Sequence, residues 1–260
     1  MSATNNIPGE QIATAIRRAH EKGNPALVAY LTAGYPSKVL FTEHLRAIAS
    51  SADVVEIGVP FTDPMADGVT IQRSSQGALE QGVSLRWILS ELAAMPRLGT
   101  PLLLMSYLNP LLAFGVDQLP QAAAKAGVSG FIVPDMPVDE SDLLGQALAG
   151  QGLALVQMVT PVTTPERLER VIAASTGFVY AVTMTGVTGK NVAVPEEVMQ
   201  YLDRVRAVSK VPVCAGFGIR SREQVRALRD HVDGVIVGSA LVEVLERGED
   251  PARWLDGLRG

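Results

Sequence analysis

The chain has 260 residues, is 47% hydrophobic and 19% charged, and carries a formal net charge of −5. That composition belongs to a folded globular chain, and an acidic balance without a Lys/Arg cluster argues against a nucleic-acid partner. The single cysteine, Cys214, rules out an intrachain disulfide and a thiolate metal centre.

In chain order, short apolar and β-branched runs alternate with stretches of helical spacing. A helical stretch over 11–22 precedes a strand over 26–32, and a helix over 38–51 leads to a strand over 52–57. A helical stretch over 69–80 follows, then strands over 101–105, 130–133 and 154–158. Helices over 141–150 and 165–174 flank the last of these. Strands over 177–182, 211–215 and 233–237 complete the set, with helices over 196–208 and 222–231 between them. Thr164-Pro165-Glu166 offers a cap followed by Pro at the first helical position, and Ser221 stands before Arg222-Glu223-Gln224 as a second cap. Eight strands, nearly continuous in apolar residues, predict a single α/β domain over 1–260. Its expected fold is a (β/α)8 TIM barrel with an additional N-terminal helix. The open doubly wound sheet is the weaker reading, because the segment after the first strand, Leu31-Thr32-Ala33-Gly34-Tyr35-Pro36, holds no G-x-G-x-x-G.

The opening MSATNNIPGE lacks the basic and apolar regions of a secretory signal, and apolar runs such as 101–105 are too short to span a bilayer. A cytoplasmic protein without membrane contact is expected.

A barrel places its reactive groups at the C-terminal ends of strands and in the loops that follow. Glu56 interrupts the apolar run Val54-Val55-Glu56-Ile57 and shares a face with Val54. If that face looks inward, desolvation raises the carboxyl pKa and suits it to giving and taking a proton; pairing with a base is the competing, structural reading. Asp63 and Asp67 lie on the next loop, stiffened by Pro60 and Pro64, with Gly58 and Gly68 expected to permit turns. On residue type, Asp67 fits a helix N-cap at least as well as a catalytic role.

Three glycine-bearing loops follow late strands: Thr185-Gly186-Val187-Thr188-Gly189-Lys190, Ala215-Gly216-Phe217-Gly218-Ile219-Arg220 and Val237-Gly238-Ser239-Ala240. Together they fit a phosphate cradle built from backbone N–H groups at a helix start; ordinary tight turns are the alternative. Tyr107 follows the third strand as a pocket residue, and Asp135 follows the fourth as a brace. His20, His44 and His231 fall in helical stretches without ligand spacing, so no metal is expected.

The run Val55-Glu56-Ile57-Gly58-Val59-Pro60-Phe61-Thr62-Asp63-Pro64-Met65-Ala66-Asp67-Gly68, followed by Thr70-Ile71-Gln72, resembles the signature of the tryptophan synthase α subunit family. The segment 105–110 and the three glycine loops fall where that family has them. The resemblance implies a carbon–carbon lyase of tryptophan biosynthesis that splits indole-3-glycerol phosphate by retro-aldol cleavage into indole and glyceraldehyde 3-phosphate. It implies that Glu56 is the general acid–base, that Asp67 receives the indole N–H, and that Tyr180 stands beside the catalytic carboxylate. Tyr30, Ile71, Tyr107 and Phe217 then match positions lining the indole pocket. Gly189, Gly218, Gly238 and Ser239 match the phosphate cradle, and Thr188 the threonine that closes onto Asp67. No cofactor is implied in this chain; pyridoxal phosphate is expected in a β partner, within an α2β2 heterotetramer. Val69 departs from the proline usual in the family, and Met184 from a polar or basic residue. A stand-alone lyase and a non-catalytic phosphate-binding barrel are the alternatives.

Overall fold

The computed structural model describes residues 8–183, 194–216 and 218–259. The eight strands are β1 (Ala26–Thr32), β2 (Val54–Gly58), β3 (Leu102–Met105), β4 (Val128–Ile132), β5 (Ala154–Val159), β6 (Val179–Val182), β7 (Val213–Gly216) and β8 (Gly234–Val237). All neighbours are parallel, and β8 closes onto β1, so the expected TIM barrel is present.

The helices are α1 (Pro8–Glu21), α2 (Phe41–Ser51), α3 (Val69–Glu80), α4 (Leu85–Ala94), α5 (Leu108–Phe114), α6 (Leu119–Ala126), α7 (Asp142–Ala149), α8 (Pro165–Ala174), α9 (Glu196–Val208), α10 (Arg222–Leu228), α11 (Ser239–Glu246) and α12 (Pro251–Arg259). The additional N-terminal helix is α1. Both anticipated caps form. Thr164 Oγ1 accepts from Arg167 N with Pro165 in the first turn, and Ser221 and Gln224 make a reciprocal capping box.

Some expected boundaries move. The second strand starts at Val54 rather than 52: Asp53 N donates to Leu27 O (2.9 Å), but Leu27 N is taken by the Asp53 carboxylate (2.8 Å). The seventh starts at Val213, since Pro212 has no N–H for a ladder. Helices α4, α5 and α6 fill connections for which the sequence reading named no helix.

Strand alternation sorts the residues into two cores. Leu27, Leu31, Val55 and Ile57 face outward onto helices, packing in one cluster with Leu45 and Ile48 of α2. Val28, Val54, Leu103, Ile132, Val156 and Phe178 face inward in a second cluster, joined by Ile12 and Ile16 of α1. Helix α1 therefore closes the base of the barrel. Its start is tied there by Gly9 N donating to Gly152 O at 2.9 Å. Ile16 is fully buried, so Ile16→Ala removes three buried carbon atoms and leaves a cavity. The expected loss is roughly 2–5 kcal/mol in urea unfolding, with an unchanged denaturant slope.

Candidate active site

Glu56 shares the inward face with Val54, as alternation requires, and pairs in register with Tyr30 of β1 and Leu103 of β3. It is 1% exposed, and among the described residues neither carboxylate oxygen has a hydrogen-bond partner. The structural reading of a Glu paired with a base thus finds no base among the described residues. Removal from water disfavours the charged form and pushes the pKa from 4.5 up to about 8.

Two tyrosines wall this carboxyl, and a glycine makes room for each. Tyr30 lies on β1, and a β-carbon at Gly58 on the neighbouring strand would collide with its phenol oxygen. Tyr180 lies on β6, and a β-carbon at Gly216 on β7 would collide with its phenol in the same way. The rings lean diagonally: Thr32, two residues beyond Tyr30, pairs with Gly58, and Val182, two beyond Tyr180, pairs with Gly216. Gly58 thus serves as a space rather than the expected turn. Gly68 likewise needs no special backbone freedom, with φ −73. Burial first, and then the negative charges of Glu56 and Asp67, raise the Tyr180 pKa well above its usual value, so it stays a neutral phenol.

Asp67 is not the helix cap that its position allows. The N-cap of α3 is Gly68, with no side-chain cap bond. Instead Asp67 Oδ2 accepts from Tyr107 Oη at 3.0 Å, while Tyr107 Oη accepts from Ala66 N at 2.8 Å. The Tyr107 ring stacks on Phe61, with centroids 5.1 Å apart. Burial raises the Asp67 pKa and the Tyr107 hydrogen bond pulls it back. Asp135 braces this corner: its Oδ1 accepts Leu108 N, at the start of α5, at 2.9 Å.

One cavity of about 110 Å³ brings together Tyr30, Glu56, Asp67, Ile71, Tyr180, Gly218, Gly238 and Ser239. Tyr107 joins through its bond to Asp67. Gly68, Met105 and Ile236 also line the cavity. The sequence reading did not single them out for the site, although Met105 and Ile236 carry the strand-end signal. Opposite Glu56, Gly218 takes a left-handed φ of +76, which disfavours any other residue. Gly238 and Ser239 open α11, whose first-turn N–H groups have no intrahelical acceptor and suit an anion. Thr188, Gly189 and Phe217, with Met184 and Lys190, lie outside the described residues.

A carboxyl pair, two neutral phenols and a helix start around one cavity narrow the choice of enzyme, and relatives decide it. The family model described as tryptophan synthase alpha chain matches residues 16–256. The chain belongs to that family. It is 43% identical over 238 residues to the tryptophan synthase alpha chain of Carboxydothermus hydrogenoformans, covering 91% of this chain and 89% of the relative. It is 44% identical over 242 residues to that of Nitratidesulfovibrio vulgaris, covering 92% and 94%. Among solved structures, tryptophan synthase of Mycobacterium tuberculosis superposes with a TM-score of 0.87 at 36% identity, covering 96% of this chain and 98% of that one. The expected carbon–carbon lyase of tryptophan biosynthesis, acting on indole-3-glycerol phosphate, follows from that membership, as does a β-subunit partner. Among the described residues no helix is long and apolar enough to cross a membrane.

The isolation of Glu56 has a thermodynamic signature. Its native pKa of about 8 exceeds the ordinary 4.5, so between those values the native state keeps a proton that the unfolded chain has released. Stability from this group is full below the lower value and declines as pH rises through the upper one, by up to about 1.4 kcal/mol per unit. Glu56→Gln removes the titration. In thermal scans its Tm is expected to gain on the wild type steadily from pH 4.5 to pH 8, whereas a constant gap would contradict an unpaired buried carboxyl.

Proposed function

We propose that Glu56 is the proton carrier of the cleavage and Asp67 the group that steadies the indole ring. The observation that carries this reading is a contrast within one cavity: Glu56 is unpaired with a pKa near 8, whereas Asp67 is held by Tyr107. Two carboxyls in environments that differ this much can take different roles.

The reaction needs a proton at indole C3 and the loss of one from the side-chain hydroxyl. Protonation makes the ring an electron sink. As the hydroxyl proton leaves, its O–H pair forms the aldehyde C=O, and the C3–side-chain bonding pair returns to the ring as indole. Glu56, protonated over much of the neutral range, gives the first proton and accepts the second. The Asp67 carboxylate accepts the indole N–H and offsets the positive charge that C3 protonation places on the nitrogen. Tyr180 shields the carboxyl from water, while Tyr30, Ile71, Tyr107 and Phe217 flank the ring. Gly218, Gly238 and Ser239, with Thr188 and Gly189, which follow β6 in sequence, receive the phosphate. Positioned proton transfer of this kind contributes about 10²–10⁴-fold.

The partner is read as a pyridoxal-phosphate β subunit in an α2β2 heterotetramer, with no cofactor in this chain. Its docking face is the C-terminal mouth of the barrel. A cavity of about 1020 Å³ there runs from Asp67 and Met105 to Pro134, Met136 and Val138. Met65 and Val162, on loops, and Val69, at the start of α3, stand 85%, 85% and 78% exposed at the same end, an apolar rim that a partner would cover. Residues 1–260 form one cytoplasmic domain on this reading.

Glu56→Gln preserves shape and removes the titrating oxygen. Indole release from indole-3-glycerol phosphate is expected to fall by at least about 10²-fold while calorimetry finds substrate binding largely retained; unimpaired release would sink the assignment. Gly218→Val forces a β-branched residue into the left-handed region. It should weaken binding of glycerol phosphate at least about tenfold by calorimetry, and unchanged binding would remove that loop from the phosphate site.

A further inference from the structure

A row of three hydroxyls leads away from the Glu56 wall into α3. Tyr30 Oη is 3.2 Å from Thr32 Oγ1, and Thr32 Oγ1 is 2.6 Å from Ser74 Oγ. Ser74 Oγ donates to the carbonyl of Ile71 at 2.9 Å. All three residues are buried, Ser74 completely.

Proton counting fixes the direction of this row. A carbonyl only accepts, so the single hydroxyl proton of Ser74 is committed to Ile71. Thr32 must then donate to Ser74, and Tyr30 must donate to Thr32. The phenol proton of Tyr30 is thereby turned away from Glu56, although the two residues are register partners across β1 and β2.

That commitment matters because the phenol is placed to act on the carboxyl. Among the described residues, the titratable groups turned toward Glu56 are Tyr30 on β1, Asp67 between β2 and α3, Tyr180 on β6 and Cys214 on β7. None of them is basic. A hydrogen bond donated to a carboxylate stabilises its charged form and lowers its pKa. A phenol whose own acceptor was removed would be a buried, unsatisfied donor facing two carboxyls, and such a donor seeks the nearest acceptor.

We propose that Thr32 and Ser74 are positioning residues that take up the Tyr30 phenol proton, withhold a hydrogen bond from Glu56 and keep its carboxyl free to exchange protons with substrate. The proposal rests on the reading of Glu56 as the acid–base group. It also gives the β1–α3 contact a task beyond packing, since Ile71, the terminal acceptor, lines the same cavity.

The test follows the titration of Glu56 by ¹³C-carboxyl NMR of glutamate-labelled protein, with the resonance assigned by its loss in Glu56→Gln. In Thr32→Val, nearly isosteric but without the acceptor, the midpoint is expected to fall by about one pH unit or more. Ser74→Ala, which leaves Thr32 in place, should shift it in the same direction by less, and reports even if Thr32→Val folds poorly. Thr32→Ser restores the acceptor and the wild-type midpoint. Tyr30→Phe combined with Thr32→Val returns the midpoint to the wild-type value, because no phenol proton remains to be released. An unmoved midpoint in both Thr32→Val and Ser74→Ala, or a double variant as shifted as Thr32→Val alone, overturns the proposal. The inflection of kcat/KM with pH, measured on the same proteins, separates the two layers. If the carboxyl midpoint moves and that inflection does not follow, the acid–base role of Glu56 fails while the hydroxyl row stands.

Discussion

An ionisable carboxyl enclosed in a barrel without a partner is the constraint around which this structure is arranged. Burying a charge is costly unless it is paired or neutralised. Among the described residues that constraint is met at Glu56 by phenols with no base, so the group holds its proton to a pH near 8. The surroundings serve the same end. Val54 and Leu103 supply apolar floor, Gly58 and Gly216 give space to Tyr30 and Tyr180, and the hydroxyls of Thr32 and Ser74 absorb a donor that would otherwise bind the carboxylate.

Asp67 is arranged differently, although burial raises its pKa too. It sits on a loop, half-buried, with a hydrogen bond from Tyr107 favouring its charged form. The stack of Tyr107 on Phe61 and the bond from Ala66 N fix the donor before any ligand arrives. Two carboxyls eleven positions apart in sequence thus differ in environment because one belongs to a strand interior and the other to the loop above it.

How much of this was legible in the sequence depends on the range of the interaction. Alternation is local, so the inward aspect of Glu56 follows from Val54 two residues away, and the eight strands follow from apolar runs of four to seven residues. Caps are local too, as Thr164 and Ser221 demonstrate. Asp67 was open between cap and catalyst because its true partner, Tyr107, is forty residues distant and reaches it only once β2 and β3 are adjacent. Thr32 and Ser74 are forty-two residues apart, the one a small polar residue in an apolar strand and the other in a polar helical stretch, and neither carried a signal of the contact. Gly58 reads as a turn former and Gly216 as part of a phosphate-cradle loop because the colliding atoms belong to neighbouring strands. Helices α5 and α6 escaped for another reason: Pro110 and Pro120 near their starts, and the short span of each, blur their periodicity, whereas α4, as long as α8 and capped by Ser84, has no such obstacle in its sequence.

The stopper formed by α1 has a consequence for traffic. Ile12 and Ile16 fill the base of the barrel, so among the described residues a molecule held at Glu56 has its doorway at the strand C-termini. Substrate entry and product departure must use it in turn, and any protein seated over that doorway becomes the gatekeeper and first recipient of whatever leaves.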